Sequence, residues 1–351
     1  MPLQRNTKTT IVAALCLLMA GAGCLKRREM IEVRPDGGAA MVLEFEGSQE
    51  DLAGPTALPT AADGWRVSQS KGKRANEDVH IYTASADFAP GAALPSGYGD
   101  AGGVHLTFPT EIHREERPDG VYLRFRRIYE PRPYARTQYW NDRYIDDDIR
   151  KISEKPIDGL NQDERTKLLH AFANVQSHQQ LEALAMAVSA ATPDVPIESR
   201  LAARARLLDV YERFDYAGLA DSIKGLSEEE ANAKIVQIGE AIPKDADQAY
   251  IDTLATMAKL DAHQLAALRA SLEQERLRRR ITDASRSQTF QIELTMPGEI
   301  VATNADQVED GGLKWEFDGR AFCDRPYELV AISKLSAAPA QADDTNKAES
   351  R

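Results

Sequence analysis

The densest group of side chains able to do chemistry runs from Arg124 to Arg136, where Arg124, Arg126, Arg127, Arg132 and Arg136 are interleaved with Phe125, Tyr129 and Tyr134. A guanidinium fork matches phosphate oxygens and aromatic faces suit sugars and interfaces, so these five arginines are candidate contacts for a phosphate or glycan head group. The competing reading is a strand with an arginine-lined solvent face that leads through Pro131 and Pro133 into a helical segment whose acids pair with it. Histidines offer less. His80, His105 and His113 fall on or near one set of strands but lack local metal-ligand spacing, and His170 and His178 stand about two helical turns apart, too far to share an ion. The acidic runs Asp146-Asp147-Asp148 and Glu228-Glu229-Glu230 read as solvated faces, the second at a helix start. No nucleophile elbow, phosphate loop, zinc-protease helix or paired CxxC occurs. The chain is therefore expected to be non-catalytic, with no cofactor and no metal.

Position in the cell is written at the start. Arg5 and Lys8 precede the apolar run Ile11–Ala20, and the small residues Gly21, Ala22 and Gly23 lead to Cys24, the layout of a signal peptide over residues 1–23. The apolar run is well short of the ~20 residues a spanning helix needs. Small residues ending at Cys24 resemble the lipobox of bacterial lipoproteins, which implies acylation of Cys24 and a lipid anchor in the cell envelope. Ala20-Gly21-Ala22 equally suits ordinary cleavage, which would release a soluble secreted or periplasmic protein. Lys26, Arg27 and Arg28 would add attraction to anionic head groups beside the acyl chains. Once Cys16 leaves and Cys24 is acylated, Cys323 cannot form an intrachain disulfide, so the core must hold the fold.

Charge excludes a class of partner. The net charge of −12 becomes about −14 without the leader, whose charged residues are Arg5 and Lys8, and a general nucleic-acid binder should be basic. A length of 351 residues, 42% hydrophobic and 28% charged, fits about two soluble domains.

The elements that must position these residues come in three blocks. From Glu29 to Glu130 the period is two: Ile31 and Val33 alternate with polar residues, Pro35-Asp36-Gly37-Gly38 supplies a turn, and Leu43 and Phe45 continue a hairpin. Trp65–Gln69, Val79–Ala86, Val104–Phe108 and Val121–Ile128 read as further strands, interrupted by the long loops Asp51–Asp63 and Ala89–Gly103. Between Pro133 and Ser285 the period becomes helical, with stripes at Leu168, Phe172, Val175, Leu181, Leu184 and Val188, at Leu201, Ala205 and Leu208, and at Leu265, Leu268 and Leu272. Pro243-Lys244 reads as a breaker, Ser227 with Glu230 as a capping box, and Arg276–Arg280 as a helix C-terminus. After Ser287 strands return at Phe290–Met296, Glu299–Thr303, Leu313–Phe317 and Tyr327–Ile332. Both strand sets have one face to bury, so the expected class is α+β, a discontinuous β-rich domain (24–134 plus 287–335) with an inserted helical bundle (135–286) and a disordered tail at 336–351.

The run Leu294-Thr295-Met296-Pro297-Gly298-Glu299-Ile300-Val301-Ala302-Thr303-Asn304, followed by Leu313-Lys314-Trp315-Glu316-Phe317, resembles the pattern of the LppM-type domain of bacterial lipoproteins. Cys24 followed by Ile31-Glu32-Val33 and Asp36-Gly37 is similar to the start of those proteins. The resemblance implies an extracytoplasmic, lipid-anchored α/β module without known catalytic residues, with an envelope-lipid-binding role in the mycobacterial namesake. Read physically, the same motif is structural: Pro297-Gly298 ends a strand and re-aims the chain, and Trp315 and Phe317 fill the next. The expected function is that of a membrane-anchored binder of an envelope lipid, glycolipid or protein partner. The alternative is a secreted enzyme whose site lies between sheet and bundle under the Ala89–Gly103 loop. Nothing in the sequence sets the oligomeric state.

Overall fold

A computed structural model describes residues 25–335 apart from 55–56, 75–76, 99–103, 157–158 and 310–311. The leader, Cys24, the end of the Ala89–Gly103 loop and the tail lie outside the described residues. The protein is mixed α+β, with the helices inserted between N-terminal and C-terminal strands. It divides into a helical unit built on Pro133–Ser285 and a β-rich unit built on the stretches either side of it.

In the β-rich unit, β1 (Lys26–Val33) and β2 (Ala39–Gly47) form the expected hairpin, pairing from Lys26↔Glu46 to Val33↔Ala39. Gly37 takes φ +89° at its turn, a conformation open to glycine at no steric cost. β3 (Arg66–Arg74) and β4 (Glu77–Phe88) add to β2, while β7 (Thr289–Thr295) runs parallel to β1, from Lys26↔Thr289 to Glu32↔Thr295. With β9 (Gln307–Glu309) and β10 (Gly312–Asp318) the order is β3-β4-β2-β1-β7-β10-β9. The two strand sets thus share one sheet, as two half-buried sets should. A second, antiparallel sheet has the order β5-β6-β11-β8, with β5 Thr110–Arg117, β6 Gly120–Tyr129, β8 Glu299–Thr303 and β11 Tyr327–Leu335. Phe45, Phe125, Tyr129, Phe290, Trp315 and Phe322 form the core that both sheets enclose.

One strand expectation needs correction, and an edge strand lies outside the expected set. Val104–Phe108 is extended but joins no sheet; Leu106 and Phe108 are buried, and Phe108 bonds to the loop residue Ser96 through its backbone N–H (2.7 Å). The neighbouring strand β5, Thr110–Arg117, lies outside the expected set because it is mostly charged: it is an edge that carries an ion pair on each face, Arg114–Glu116 (2.6 Å) and Arg117–Glu115 (2.7 Å).

Strand β1 also carries charge inward. Its alternation puts Arg27 and Glu29 on the same buried side as Ile31 and Val33. There Glu29 accepts from Arg27, from Arg127 of β6 and from the Tyr98 hydroxyl (3.1 Å). Burial alone would push the Glu29 carboxyl up, but Arg127 and Arg27 beside it outweigh that and hold it below the usual carboxylate range. The second positive charge is accommodated by rings, with the Arg27 guanidinium 4.7 Å from the Tyr98 centroid and 4.8 Å from that of Phe108. Arg27 therefore does not belong to a membrane-facing basic cluster, and Arg28 pairs with Glu293 at 2.9 Å.

Met296, Gly298 and Asn304 of the Leu294–Asn304 run, together with Trp315, serve the structure, while Val301 of the same run is exposed. A β-carbon on Gly298 (φ +85°) would run into the Lys334 carbonyl oxygen, and Met296 is buried. Trp315 Nε1 donates to Asn304 Oδ1 at 3.1 Å, while the Asn304 amide donates to the Glu328 carbonyl at 2.7 Å and ties the end of β8 to β11.

The helical unit follows its caps. After the one-turn α1 (Gln49–Leu52) of the β-rich unit come α2 (Ala135–Tyr144), α3 (Asp147–Ser153), α4 (Gln162–Ala191), α5 (Ile197–Glu212), α6 (Tyr216–Ser222), α7 (Glu228–Ala258) and α8 (Ala262–Arg286). Asp146 caps α3 by accepting from the N–H groups of Asp148 and Ile149, so that acidic run begins a helix. Ser227 and Glu230 form the expected capping box of α7. Arg276–Arg280 lies inside α8, which continues to Arg286.

Pro243 does not break α7. Proline has no N–H for the carbonyl four residues earlier, and α4 supplies the missing donor: Gln176 Nε2 bonds to the Gly239 carbonyl at 3.2 Å. Gln180 Nε2 donates to the Pro243 carbonyl itself at 2.6 Å, and its Oε1 accepts from Tyr211 at 2.6 Å.

Glu29→Gln leaves two buried guanidiniums without a counter-charge and should cost about 3–5 kcal/mol, read by denaturant titration of the β-rich unit's Trp65 and Trp315 fluorescence. Because the folded carboxyl is held low, its contribution is present above the ordinary carboxylate pKa and is lost as pH falls through the depressed value; the wild-type advantage over Glu29→Gln should shrink on acidification. Gln176→Leu should cost about 1 kcal/mol in the wild-type chain and close to nothing in a Pro243→Ala background, whose restored N–H serves Gly239; equal costs in both backgrounds would contradict the assignment.

Candidate functional site

In the helical unit, α2, α4 and α5 enclose a groove of about 710 Å³. Its floor is aliphatic and small, with Leu181, Ala185 and Ser189 from α4, and Tyr250 reaches it from α7. Tyr139 and Trp140 of α2 form one wall, Ile197 and Leu201 of α5 the other. Tyr139, Ile197 and Leu201 are 53%, 60% and 54% exposed, so large apolar groups concentrate here in water.

Helix phase explains the exposure. The buried residues of α5 are Ser199, Ala203, Leu207 and Tyr211, so the expected Leu201 and Ala205 each fall two residues out of phase, near the opposite face, while Leu208 is half-buried against the core. Leu201 is thus freed from the core and turned to the groove. On the opposite wall Trp140 lies 4.0 Å from His178 and stacks with Tyr144 at 6.1 Å, centroid to centroid. His178 Nδ1 is 2.9 Å from the Asn174 carbonyl, which can only accept, so the neutral ring carries its proton there and turns Nε2 toward Tyr144. Trp140 Nε1 donates to Glu182 Oε1 at 2.8 Å.

Charge at the groove is mostly positive. Arg136, on α2, stands 80% exposed and 4.0 Å from Glu182. Arg200 and Arg204 come from α5. Arg200 is held by its bonds to the carbonyls of Val195 (3.1 Å) and Pro193 (2.7 Å), and Arg204 is exposed.

The five arginines read as one basic segment separate. Alternation along β6 buries Leu123, Phe125, Arg127 and Tyr129 and turns Arg124 and Arg126 outward. Arg127 is fully buried against Glu29 and Thr110, out of reach of any head group. Arg132 is buried and donates to the His105 carbonyl. Arg126 pairs with Glu328, and Arg124 is exposed on the strand. Arg136 alone of the five lines the groove. No motif marks Trp140 or Leu201 as a site residue; the signal the sequence carries is a leucine out of phase with the small residues Ser199 and Ala203. Among the described residues no group of three His, Cys, Asp or Glu side chains is placed to hold a metal ion, and no helix is long and apolar enough to cross a membrane.

No protein-family model matches the chain, and no curated protein matches it. The NMR structure of the folded domain of the Mycobacterium tuberculosis LppM protein superposes with a TM-score of 0.31 at 9% identity, covering 90% of this chain and 93% of that one. This is a weak resemblance to the family suggested by the Met296–Asn304 motif, and at this level neither fold nor ligand passes from one protein to the other.

Because Leu201 faces water and Leu207 the core, Leu201→Ser should leave the melting temperature nearly unchanged, whereas Leu207→Ala should cost about 2–5 kcal/mol. Thermal denaturation followed by circular dichroism separates the two, and comparable losses would place Leu201 in the core.

Proposed function

We propose that the chain is an exported envelope lipoprotein, tethered through acylated Cys24, that serves as a non-catalytic binder and takes its envelope ligand or partner in the groove of the helical unit. The observation that carries this reading is the concentration of Tyr139, Ile197 and Leu201, exposed and apolar, between arginines of α2 and α5. Concave, mostly apolar sites with a few polar groups are where small ligands bind. The leader supports the location: a short apolar run, small residues and a cysteine are the parts that export and acylation require. Acyl chains add about 0.8 kcal/mol per buried methylene, so loss of lipidation should be decisive for membrane residence.

Cys24→Ser should abolish palmitate labelling and move the protein from the membrane pellet to the soluble fraction of its host. A variant that stays in the pellet would overturn the anchor.

A further inference from the structure

Resting on that reading, we propose that the groove takes an anionic amphiphile, with an aliphatic chain lying on the Leu181, Ala185 and Leu201 surface and a carboxylate or phosphate head held by Arg136 and Arg204. Three features of the groove select this chemistry. First, its walls are all helices and the surface they present is mostly apolar, although nine of the 13 lining side chains carry a polar atom. An extended peptide would find no strand edge to extend. An aliphatic chain needs no such edge and gains from an apolar surface. Second, the lining comprises 13 residues and about 710 Å³. That lies within the roughly 300–1,000 Å³ of small-ligand sites and below the roughly 20–30 residues a side of a standard protein interface. Third, the charge is lopsided. Arg136, Arg200 and Arg204 face one carboxylate, Glu182, which is already engaged by the Trp140 indole. Guanidiniums at the edge of an apolar floor match an anionic head more closely than a neutral or cationic one.

The groove carries its own reporter. Trp140 lines it, whereas Trp65 and Trp315 are buried in the β-rich unit. The test uses the mature chain from residue 24 with Cys24→Ser, so that no covalent acyl group competes. Dibromostearate, whose bromines quench indole fluorescence on contact, should quench Trp140, and Trp140→Phe should abolish the quenching. Oleate and oleoyl lysophosphatidate should displace the probe at least tenfold more effectively than mono-oleoylglycerol. If only one anion displaces it, that arm identifies the source as a free fatty carboxylate or a lipid phosphate. Arg136→Gln with Arg204→Gln should weaken the anionic probe at least tenfold with the melting curve unchanged, and Leu201→Glu should block it. Equal displacement by mono-oleoylglycerol, quenching that persists in Trp140→Phe, or binding of an acidic amphipathic peptide with no amphiphile bound would each overturn the assignment. If no amphiphile binds but Cys24→Ser still releases the chain from membranes, the ligand fails and the anchored-lipoprotein reading stands.

Discussion

Glu29 and the two arginines around it fix how the strands of the β-rich unit register. Its carboxylate is fully buried and joins β1 of the larger sheet to Arg127 of the smaller one, while Tyr98 brings in the loop that follows β4. A buried ion pair is weak grounds for extra stability, because desolvation offsets much of the Coulombic gain. Its consequence is specificity. A one-residue slip of β1 would turn Arg27 and Glu29 outward and leave Arg127 buried without a counter-charge, so the cluster penalises every register but the observed one. The aromatic rings around Arg27 belong to the same arrangement, since they soften the burial of an excess positive charge.

Much of this architecture is legible in the sequence, and the failures share a cause. The β1–β2 hairpin, the strand at Phe290–Met296 and the Ser227–Glu230 cap follow from periodicity and local chemistry, and the structure has each of them. Arg127 has the residue type of a head-group contact but the position of a core residue: two residues beyond Phe125 it must share that ring's buried side. The partner that makes this tolerable, Glu29, lies 98 residues away along the chain. Pro243 fails similarly, since the helix survives on a donor contributed by a different helix. Local rules mark where a problem exists; the distant residue that solves it is set by tertiary structure.

The candidate site was less legible than the fold. The arginine-rich segment Arg124–Arg136 has the composition of a lipid- or glycan-facing surface, yet strand alternation and the change from strand to helix divide it among a core, a solvent face and a groove wall. Only Arg136 belongs to the groove, where its neighbours Tyr139 and Trp140 lie on the same short helix. Leucine at position 201 fits both a core stripe and a ligand surface, and helix phase alone separates the two.

On the proposed reading this protein meets its envelope ligand through the helical groove rather than through the outward arginines of β6. The most direct test places a benzophenone amino acid at Tyr139 or at Arg124 in the full-length protein and irradiates the intact host envelope. The account predicts a discrete crosslinked adduct from position 139 and none from position 124. An adduct from position 124 with none from 139 would contradict it.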